Sequence, residues 1–407
     1  MTPVHPSSRR ALVVGLGISG IATAIALHKA GWRPVVIEKA PARRGGGYFI
    51  AMFGAGRIAA DRLGILKGLH NRIPVPSVNH QVDRAGRRRP GVGFADIPNG
   101  PWMMLRGDVE RAAFDALPDD VEIRYATVPE AIEQDADGVT VTLRDTANQA
   151  TRTERFDLVV GADGLRSTVR TLVFGPPQQY LHRLGYMIAA FALPSALPGL
   201  PRGEGAILTE PGRSFWVFPF HDRPPTVLFS YHTDDVDAEF AKPPAQRIRE
   251  VYGPEPLGDL MEAAVQVLES TDEYLFDSVE QSRLDSWHRG RVVLVGDAAW
   301  CVTLYAGMGA TSGIAGAELL GIMLRRHSGD LDTALTAWEQ KLRPLIDVFQ
   351  KTGVTNRIVF TATTRAERVR RTLMMRLRRT LFGSARLSRL LARSKQMRLR
   401  NEDMAAA

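Results

Sequence analysis

Hydrophobic residues occur along this chain in short runs that end at glycine turns and in longer amphipathic stretches. The run "ALVV", the glycines after it and "ISGIATAIALHKAG" predict a buried strand, a tight turn and a helix that ends at Gly31. "PVVIEK" predicts the next strand, and "DLVV" and "RVVLV" predict further strands that are buried on both faces. Such strands, alternating with helices, predict an α/β fold with a Rossmann-like sheet.

The middle of the chain has a different pattern. In "SFWVFPFHDRPPTVLFSYHT" two β-runs flank a proline turn, and Trp216, Phe218 and Phe220 share one face because side chains alternate along a strand. The earlier segment "SVNHQVDRAGRRRPGVGF" predicts a hairpin in the same sheet. These aromatic residues either form the core of a small domain or line a pocket. If Trp216, Phe218 and Tyr231 line a pocket, we expect an apolar, aromatic or polycyclic substrate.

The C-terminal segment predicts basic amphipathic helices. Val369, Leu373, Leu377 and Leu381 recur every four residues with arginines between them, and the pattern breaks near Gly383 before a second basic stretch. We expect these helices to dock on the acidic body of the protein. Contact with an anionic membrane surface is the alternative.

Composition and charge limit the function classes. The 407 residues are 44% hydrophobic and 24% charged, typical of a globular protein with two or three structural units. One cysteine, Cys301, and nine histidines without ligand spacing predict no disulfide and no metal site. Residues 357–400 hold fourteen of the 52 Lys and Arg, and residues 357–407 hold three of the 44 acids. The rest carries 38 basic and 41 acidic residues, a net charge of −3, so we expect no nucleic-acid binding.

The first strand and helix enclose a glycine motif. Gly15, Gly17 and Gly20 form G-x-G-x-x-G, and Glu38 ends the second strand. Gly15 permits the tight turn, Gly17 lets a pyrophosphate approach the backbone, and Gly20 lets helix and strand pack closely. The helix N-terminus offers N–H groups to the phosphates, and Glu38 would accept hydrogen bonds from ribose hydroxyls. The motif therefore predicts a dinucleotide, either FAD or NAD. It also explains the uncharged N-terminal run better than a secretory signal does, and we expect a cytoplasmic protein.

Two later strand ends predict more of the same site. In "DLVVGADGLRSTVR", Asp163 follows a strand and either contacts the ligand or caps the next helix. "GRVVLVGDAAWCVTLYAGMGATSG" places Asp297 at the end of a central strand, where α/β sheets bind ligands. Asp297 can bind a polyol chain, whereas Gly307 and Gly309 leave room for a flat ring at the positive end of the next helix.

As a set, these motifs resemble flavoprotein hydroxylases of the p-hydroxybenzoate hydroxylase type, a family that includes the tetracycline-inactivating monooxygenases. The resemblance covers residues 10–345 and rests on the glycine motif with Glu38, on "ADGLRSTVR" and on "GRVVLVGDAA…AGMG". It implies FAD as the cofactor, with Arg106 near the pyrophosphate or adenosine and the isoalloxazine ring at residues 297–309. The implied cofactor site comprises Gly15, Gly17, Ser19, Gly20, Glu38, Lys39, Arg106, Asp163, Asp297, Gly307, Met308, Gly309 and Ala310.

The resemblance also implies a Rossmann-like FAD-binding domain with an inserted mixed β-sheet substrate domain and a C-terminal helical tail. We predict that the FAD-binding domain comprises residues 9–74, 105–174 and 285–345. The substrate-binding domain then comprises a hairpin at residues 75–104 together with residues 175–284, and the basic helices occupy residues 346–407.

The activity implied by the resemblance is that of an FAD-dependent monooxygenase. NADH or NADPH would bind transiently and reduce the flavin, and O₂ would give a C4a-hydroperoxide that hydroxylates an aromatic or polycyclic, natural-product-like substrate. The sequence assigns no catalytic acid or base, because His80, His221 and His232 are expected to be surface or hairpin residues. It makes no prediction of the oligomeric state.

One loop departs from the family pattern. Trp300 stands where a His usually follows "GDAA", and Thr303 and Leu304 stand where a Pro is usual. FAD binding does not depend on these positions, but flavin reduction and oxygen activation do. An alternative function is therefore a redox-neutral flavoprotein cyclase of natural-product biosynthesis that retains FAD structurally. A flavin-binding scaffold without activity is a third reading.

Overall fold

The computed structural model describes residues 9–43, 45–383 and 392–406. The helices within them are α1 (Ile18–Lys29), α2 (Gly54–Leu63), α3 (Arg106–Asp115), α4 (Thr168–Val173), α5 (Val236–Glu239), α6 (Pro244–Tyr252), α7 (Asp259–Ser270), α8 (Asp297–Trp300), α9 (Gly309–Arg326), α10 (Leu331–Phe360), α11 (Arg365–Gly383) and α12 (Lys395–Asn401). They combine with several β-sheets in a mixed α/β fold, which confirms the predicted α/β class. The predicted arrangement of an inserted domain stays a prediction.

The first sheet is mostly parallel. Its strands, in spatial order, are β17 (His288–Arg289), β18 (Val292–Leu294), β11 (Leu158–Gly161), β1 (Arg10–Val14), β2 (Arg33–Ile37) and β7 (Glu122–Arg124). All neighbours pair in parallel except β17 and β18. Since β1 has β2 on one side and β11 on the other, the strand order reverses at β1. Ligands bind at such a switch point, beyond the carboxyl ends of the strands. The strand predicted to be central, β18, lies next to the edge strand.

The second sheet is mixed. Its strands, in spatial order, are β16 (Tyr274–Ser282), β12 (Leu181–Ala192), β15 (Thr226–His232), β14 (Arg213–Phe218), β13 (Glu204–Glu210), β4 (Val78–Val82) and β5 (Arg88–Pro90). The β4–β5 hairpin pairs with β13 in parallel, which confirms that this hairpin belongs to the same sheet. One face of the sheet packs on α6 and α7, and the other face carries a separate apolar cluster around Trp216 and Phe218.

Two smaller sheets complete the strands. They are a three-stranded sheet of β10 (Thr151–Phe156), β9 (Val139–Asp145) and β8 (Thr127–Gln134), and a pair formed by β3 (Phe49–Met52) and β6 (Trp102–Leu105). β6 runs across position 104 and the continuous helix α10 runs across position 345, so no secondary-structure element ends at these two predicted domain boundaries. The division into domains stays a prediction.

The tail helices dock only in part as expected. In α12, Asn401 Oδ1 accepts a hydrogen bond from the Gly54 N–H at 2.8 Å. Just after α12, Asp403 forms an ion pair with Arg62. The tail therefore supplies the acid and the body the base, whereas we expected a basic tail on an acidic body. The apolar stripe of α11 is not docked, because Leu373 is 67% exposed. Residues 384–391, in which the second basic stretch begins, lie outside the described residues. None of the helices in the described part of the chain is both long and apolar enough to cross a membrane.

Candidate functional site

A cavity of about 590 Å³ lies between the carboxyl ends of the parallel strands and the inner face of the mixed sheet. This volume is within the range of small-molecule sites, roughly 300–1,000 Å³. Most residues of the predicted cofactor site line the cavity: Gly15, Gly17, Ser19, Glu38, Lys39, Arg106, Asp163, Asp297, Gly307, Gly309 and Ala310. Residues from four separate stretches of the chain (15–39, 106, 163 and 297–310) therefore meet at one place.

The three glycines of the first motif differ in how closely other atoms approach them. Gly15 has a φ of +106°, and a Cβ added there would lie 2.6 Å from the Ala162 carbonyl oxygen. A Cβ added at Gly20 would lie 1.9 Å from the Gly15 carbonyl oxygen, so this glycine allows α1 to contact the loop after β1. A Cβ added at Gly17 would meet nothing closer than Arg106 Nη2 at 3.8 Å. Gly15 and Gly20 thus serve the fold, whereas a Cβ at Gly17 would contact only the ends of two flexible side chains, Arg106 and Glu110, at ordinary van der Waals distance.

Two predicted cofactor residues do not line the cavity. Gly20 is buried between the glycine loop and the strand, where the lack of a side chain allows close packing. Met308 is fully buried, and its side chain belongs to the main core cluster. Its backbone oxygen accepts the Ser312 N–H in the first turn of α9. Contact of these two residues with the cofactor, which only their backbone could make, stays a prediction.

Glu38 is held at the end of β2 by backbone hydrogen bonds. Its carboxylate oxygens accept the N–H groups of Leu16 and Ala40, both at 2.9 Å. These bonds fix the side chain between the glycine loop and the following loop. A carboxylate has about four acceptor sites, so two remain for ribose hydroxyls.

Arg106 lies opposite the glycine loop at the start of α3. Its guanidinium donates to Glu110 at 2.7 Å and faces Gly17 across the cavity. Burial raises the pKa of Glu110, and the positive charge of Arg106 partly opposes that rise. A pyrophosphate between Gly17 and Arg106 would receive backbone N–H groups from one side and a cation from the other.

Asp163 uses its carboxylate to cap α4. It accepts the Ser167 hydroxyl at 2.6 Å and the N–H groups of Thr168 and Val169 at 2.6 and 3.1 Å. Burial raises its pKa, and these hydrogen bonds oppose the rise. The capping interpretation is thus confirmed for the side chain. The residue also lines the cavity, and its contact with the ligand stays a prediction.

Asp297 lies deep in the molecule, yet its side chain is exposed to the cavity. Burial raises its pKa, and Arg106 opposes the rise. Nearby, Gly307 has a φ of +66°, and a Cβ added at Gly309 would meet nothing within 4 Å. The eighteen-residue helix α9 begins at Gly309 and directs its N-terminus into this open space. The cavity thus combines Asp297, which can accept hydrogen bonds from a polyol chain, with the open surface at Gly307 and Gly309 and the N-termini of α1 and α9. These features together fit FAD.

The loop that departs from the family pattern has two unlike residues. Trp300 is buried in the core, where its ring lies 4.9 Å from Trp287 and 5.9 Å from Trp338. Thr303 lines the cavity with a φ of +70°, and its hydroxyl has no hydrogen-bond partner among the described residues. Left-handed backbone costs a β-branched residue about 1–3 kcal/mol and is typical of functional sites. Trp300 is therefore a core residue, whereas Thr303 lies at the cavity.

The second end of the cavity is apolar. Its wall in the mixed sheet consists of Ile188, Ala190, Phe218, Val227, Leu228 and Leu275. Trp216 lies on the same face but one row further back, where it packs against Phe360 at 4.6 Å. Tyr231 lies on the opposite face and donates to Glu239 at 2.7 Å. The prediction that Tyr231 faces the pocket is wrong, because Leu228 pairs with Trp216 and a residue three positions later points the other way.

Sequence reasoning missed several residues of this cavity. They are Tyr48, Phe49, Phe94, Arg166, Asp277, Glu280 and Phe360. Phe49 stacks on Phe218 with ring centroids 4.2 Å apart, which closes the apolar end from the side of β3. Arg166 contacts Asp277 and Glu280, each at 3.0 Å, where the two ends of the cavity meet. The aromatic run "YFI" after three glycines could have indicated Tyr48 and Phe49 as pocket residues. No local pattern could have indicated the cluster of Arg166, Asp277 and Glu280, because it joins distant segments of the chain.

Known proteins that are similar to this chain support a flavin site. Residues 61–334, about two thirds of the chain, match the family model described as FAD binding domain. A flavin-dependent monooxygenase from an unknown prokaryotic organism is 29% identical over 349 residues, which cover 84% of this chain and 87% of that protein. A flavin-dependent monooxygenase of Legionella longbeachae is 28% identical over 351 residues, which cover 84% and 87% of the two chains.

A solved structure is similar along almost the whole chain. The crystal structure of the tetracycline destructase Tet(51) matches with a TM-score of 0.75 and 25% identity, and the match covers 93% of this chain and 98% of that chain. The chain therefore belongs to the FAD binding domain family, and it is an FAD-dependent monooxygenase of the group A flavoprotein hydroxylases.

Proposed function

We propose that this monooxygenase takes electrons from NADH or NADPH and hydroxylates an apolar, aromatic or polycyclic small molecule of the natural-product type. The observation that carries the proposal is the continuity of one cavity, whose glycine-lined end fits FAD and whose other end is apolar. The likeness to a protein named tetracycline destructase supports a polycyclic substrate.

The chain's own residues have three tasks in this proposal. FAD, when bound, supplies the redox chemistry and the activation of dioxygen. Asp297, which lines the cavity, would hold the cofactor by accepting hydrogen bonds from the hydroxyls of its polyol chain. The N-terminus of α9 at Gly309 and Ala310 stabilises negative charge placed beside it. The aromatic wall around Phe218 and Phe49 excludes water and orients the substrate.

We propose that the mixed sheet forms the substrate half of the enzyme. Phe218 and Phe215 lie on the same strand, but Phe218 faces the cavity and Phe215 faces α6 and α7. Phe218→Leu should therefore raise KM for the substrate and leave FAD affinity unchanged. Phe215→Leu removes the same side-chain volume from the other face, so it should lower thermal stability and leave KM unchanged. Equal effects of both variants on KM would contradict this assignment.

Anaerobic reduction tests the proposed redox chemistry. The FAD-loaded full chain is mixed with NADH or NADPH, alone and with polycyclic phenols or polyketides, and loss of flavin absorbance is followed. We expect bleaching with at least one nicotinamide. With an accepted substrate and isotopically labelled dioxygen, one labelled atom should enter the product and the other should enter water.

The alternative function gives the opposite result. A redox-neutral cyclase that retains FAD structurally would show no bleaching with either nicotinamide and would turn its substrate over without consuming dioxygen. The departure at Trp300 and Thr303 motivates this alternative. No bleaching with any tested compound would therefore contradict the proposed use of nicotinamide and favour the cyclase.

A further inference from the structure

The outward face of α11 carries a stripe of large apolar side chains. Val369, Leu373 and Leu377 are 65%, 67% and 56% exposed, and their spacing of four places them on one side of the helix. From Val369 to Leu377 the stripe extends about 12 Å at ~1.5 Å per residue. A helix on the surface of a globular protein ordinarily turns such a stripe towards the core. Here the stripe faces outwards.

The inward face of α11 explains why the helix cannot simply rotate. Met374 and Met375 pack against the apolar cluster that includes the Phe218 wall of the cavity. Arg371 Nε donates to the Val359 carbonyl oxygen at 2.8 Å. Glu367, the single acid of α11, is turned inwards and pairs with Arg357. Rotating the stripe into the core would break all of these contacts, so the outward face is a stable feature of the fold.

Arginines flank the stripe on both sides. Arg365, Arg368, Arg370 and Arg376 are exposed, and with Glu367 turned inwards no acidic side chain of α11 balances them at the surface. The chain without residues 357–407 has a net charge of −3, so the positive charge of the protein is concentrated in this C-terminal region. The surface is therefore both apolar and cationic, and its partner should be apolar and anionic.

We propose that the outward face of α11 binds an anionic membrane surface. Val369, Leu373 and Leu377 would enter the boundary between headgroups and acyl chains, as the apolar face of an interfacial helix does. The flanking guanidinium groups would pair with lipid phosphates, which they can bind through two hydrogen bonds at once. A second copy of the chain fits less well, because it would bring a like-charged set of arginines against the first. The contact is with the surface, since α11 is not apolar enough to cross a membrane.

Vesicle sedimentation tests this proposal with the FAD-loaded full chain. The vesicles are either pure phosphatidylcholine or phosphatidylcholine with about one third phosphatidylglycerol. We expect sedimentation with the anionic vesicles, little with the neutral ones, and release at high salt because the charge pairing is screened. The double variant Leu373→Ser and Leu377→Ser, which leaves all charges in place, should weaken binding at least ~tenfold. Arg370→Gln with Arg376→Gln should weaken it by a similar factor.

A matched control uses an apolar residue exposed elsewhere. Phe240 is 46% exposed and lies outside α11, so Phe240→Ser should leave vesicle binding unchanged. FAD content, measured on every variant, shows that the fold is intact and keeps this test separate from that of the proposed function. Equal binding of wild type and the leucine variant would overturn the proposal. A wild-type dimer in light scattering that becomes monomeric in the leucine variant would overturn it in favour of self-association.

Discussion

Two glycines of the first motif should respond differently to the same substitution. In Gly20→Ala the added Cβ would lie 1.9 Å from the Gly15 carbonyl oxygen and 3.0 Å from its carbonyl carbon. Both are backbone atoms, so the clash is relieved only if α1 moves away from the loop by more than an ångström. We expect the free energy of unfolding to fall by about 3 kcal/mol, the upper end of the cost of an overpacked core.

In Gly17→Ala the added Cβ meets only the ends of the Arg106 and Glu110 side chains, at 3.8 and 3.9 Å. Gly17 has a φ of −82° and a ψ of −177°, an extended conformation that alanine adopts without strain. Alanine is a poorer N-cap than glycine, but it also reduces the entropy of the unfolded chain, so the net change in stability should stay within about 0.5 kcal/mol. The methyl group would, however, occupy the space for the pyrophosphate. FAD affinity should fall at least ~tenfold, or about 1.4 kcal/mol.

The assay pairs two measurements on each variant. Urea unfolding of FAD-free protein, followed by circular dichroism, gives the free energy of unfolding, and quenching of flavin fluorescence gives the Kd for FAD. We expect Gly20→Ala to change mainly the free energy of unfolding and Gly17→Ala to change mainly the Kd for FAD. Unfolding of Gly17→Ala as easily as Gly20→Ala, or binding of FAD by Gly17→Ala as tightly as by wild type, would refute this expectation.

Three further substitutions test single contacts. Glu38→Ala should increase the Kd for FAD at least ~tenfold, measured by fluorescence quenching, because the ribose loses its acceptor. Asp297→Asn should raise the melting temperature of FAD-free protein at pH 7. Since burial raises the pKa of Asp297, the folded protein loses stability as pH rises above the unfolded value, so this gain should vanish towards pH 4. Tyr231→Phe should cost about 1–2 kcal/mol in urea unfolding without changing FAD affinity, because its hydroxyl contacts Glu239 on the far face.

The cofactor half of the site was predictable because its signals are local. Gly15, Gly17 and Glu38 lie at the ends of adjacent strands, and the spacing of a strand–turn–helix unit alone determines that they meet. Asp297 follows another strand of the same sheet, and all parallel strands end at one edge. Both regions could thus be assigned without knowledge of the strand order.

The substrate half was less predictable because it depends on pairing between distant strands. The alternation within β14 correctly placed Trp216 and Phe218 on one face. The face of Tyr231 depends on the register between β14 and β15, which no pattern within either strand specifies. Likewise, the periodicity of α11 identified its apolar stripe but not the direction in which the stripe points. That direction follows from the contacts of Glu367 and Arg371 with α10.

The most direct test of the whole account is FAD binding by the freshly purified, folded full chain. We predict a yellow protein, or an FAD-free protein that takes up one FAD per chain with a Kd at or below the micromolar range. Uptake should weaken in Gly17→Ala and Glu38→Ala, because both residues line the cavity. A folded, colourless protein that binds no FAD at micromolar concentrations would contradict the assignment of the cavity and the function built on it.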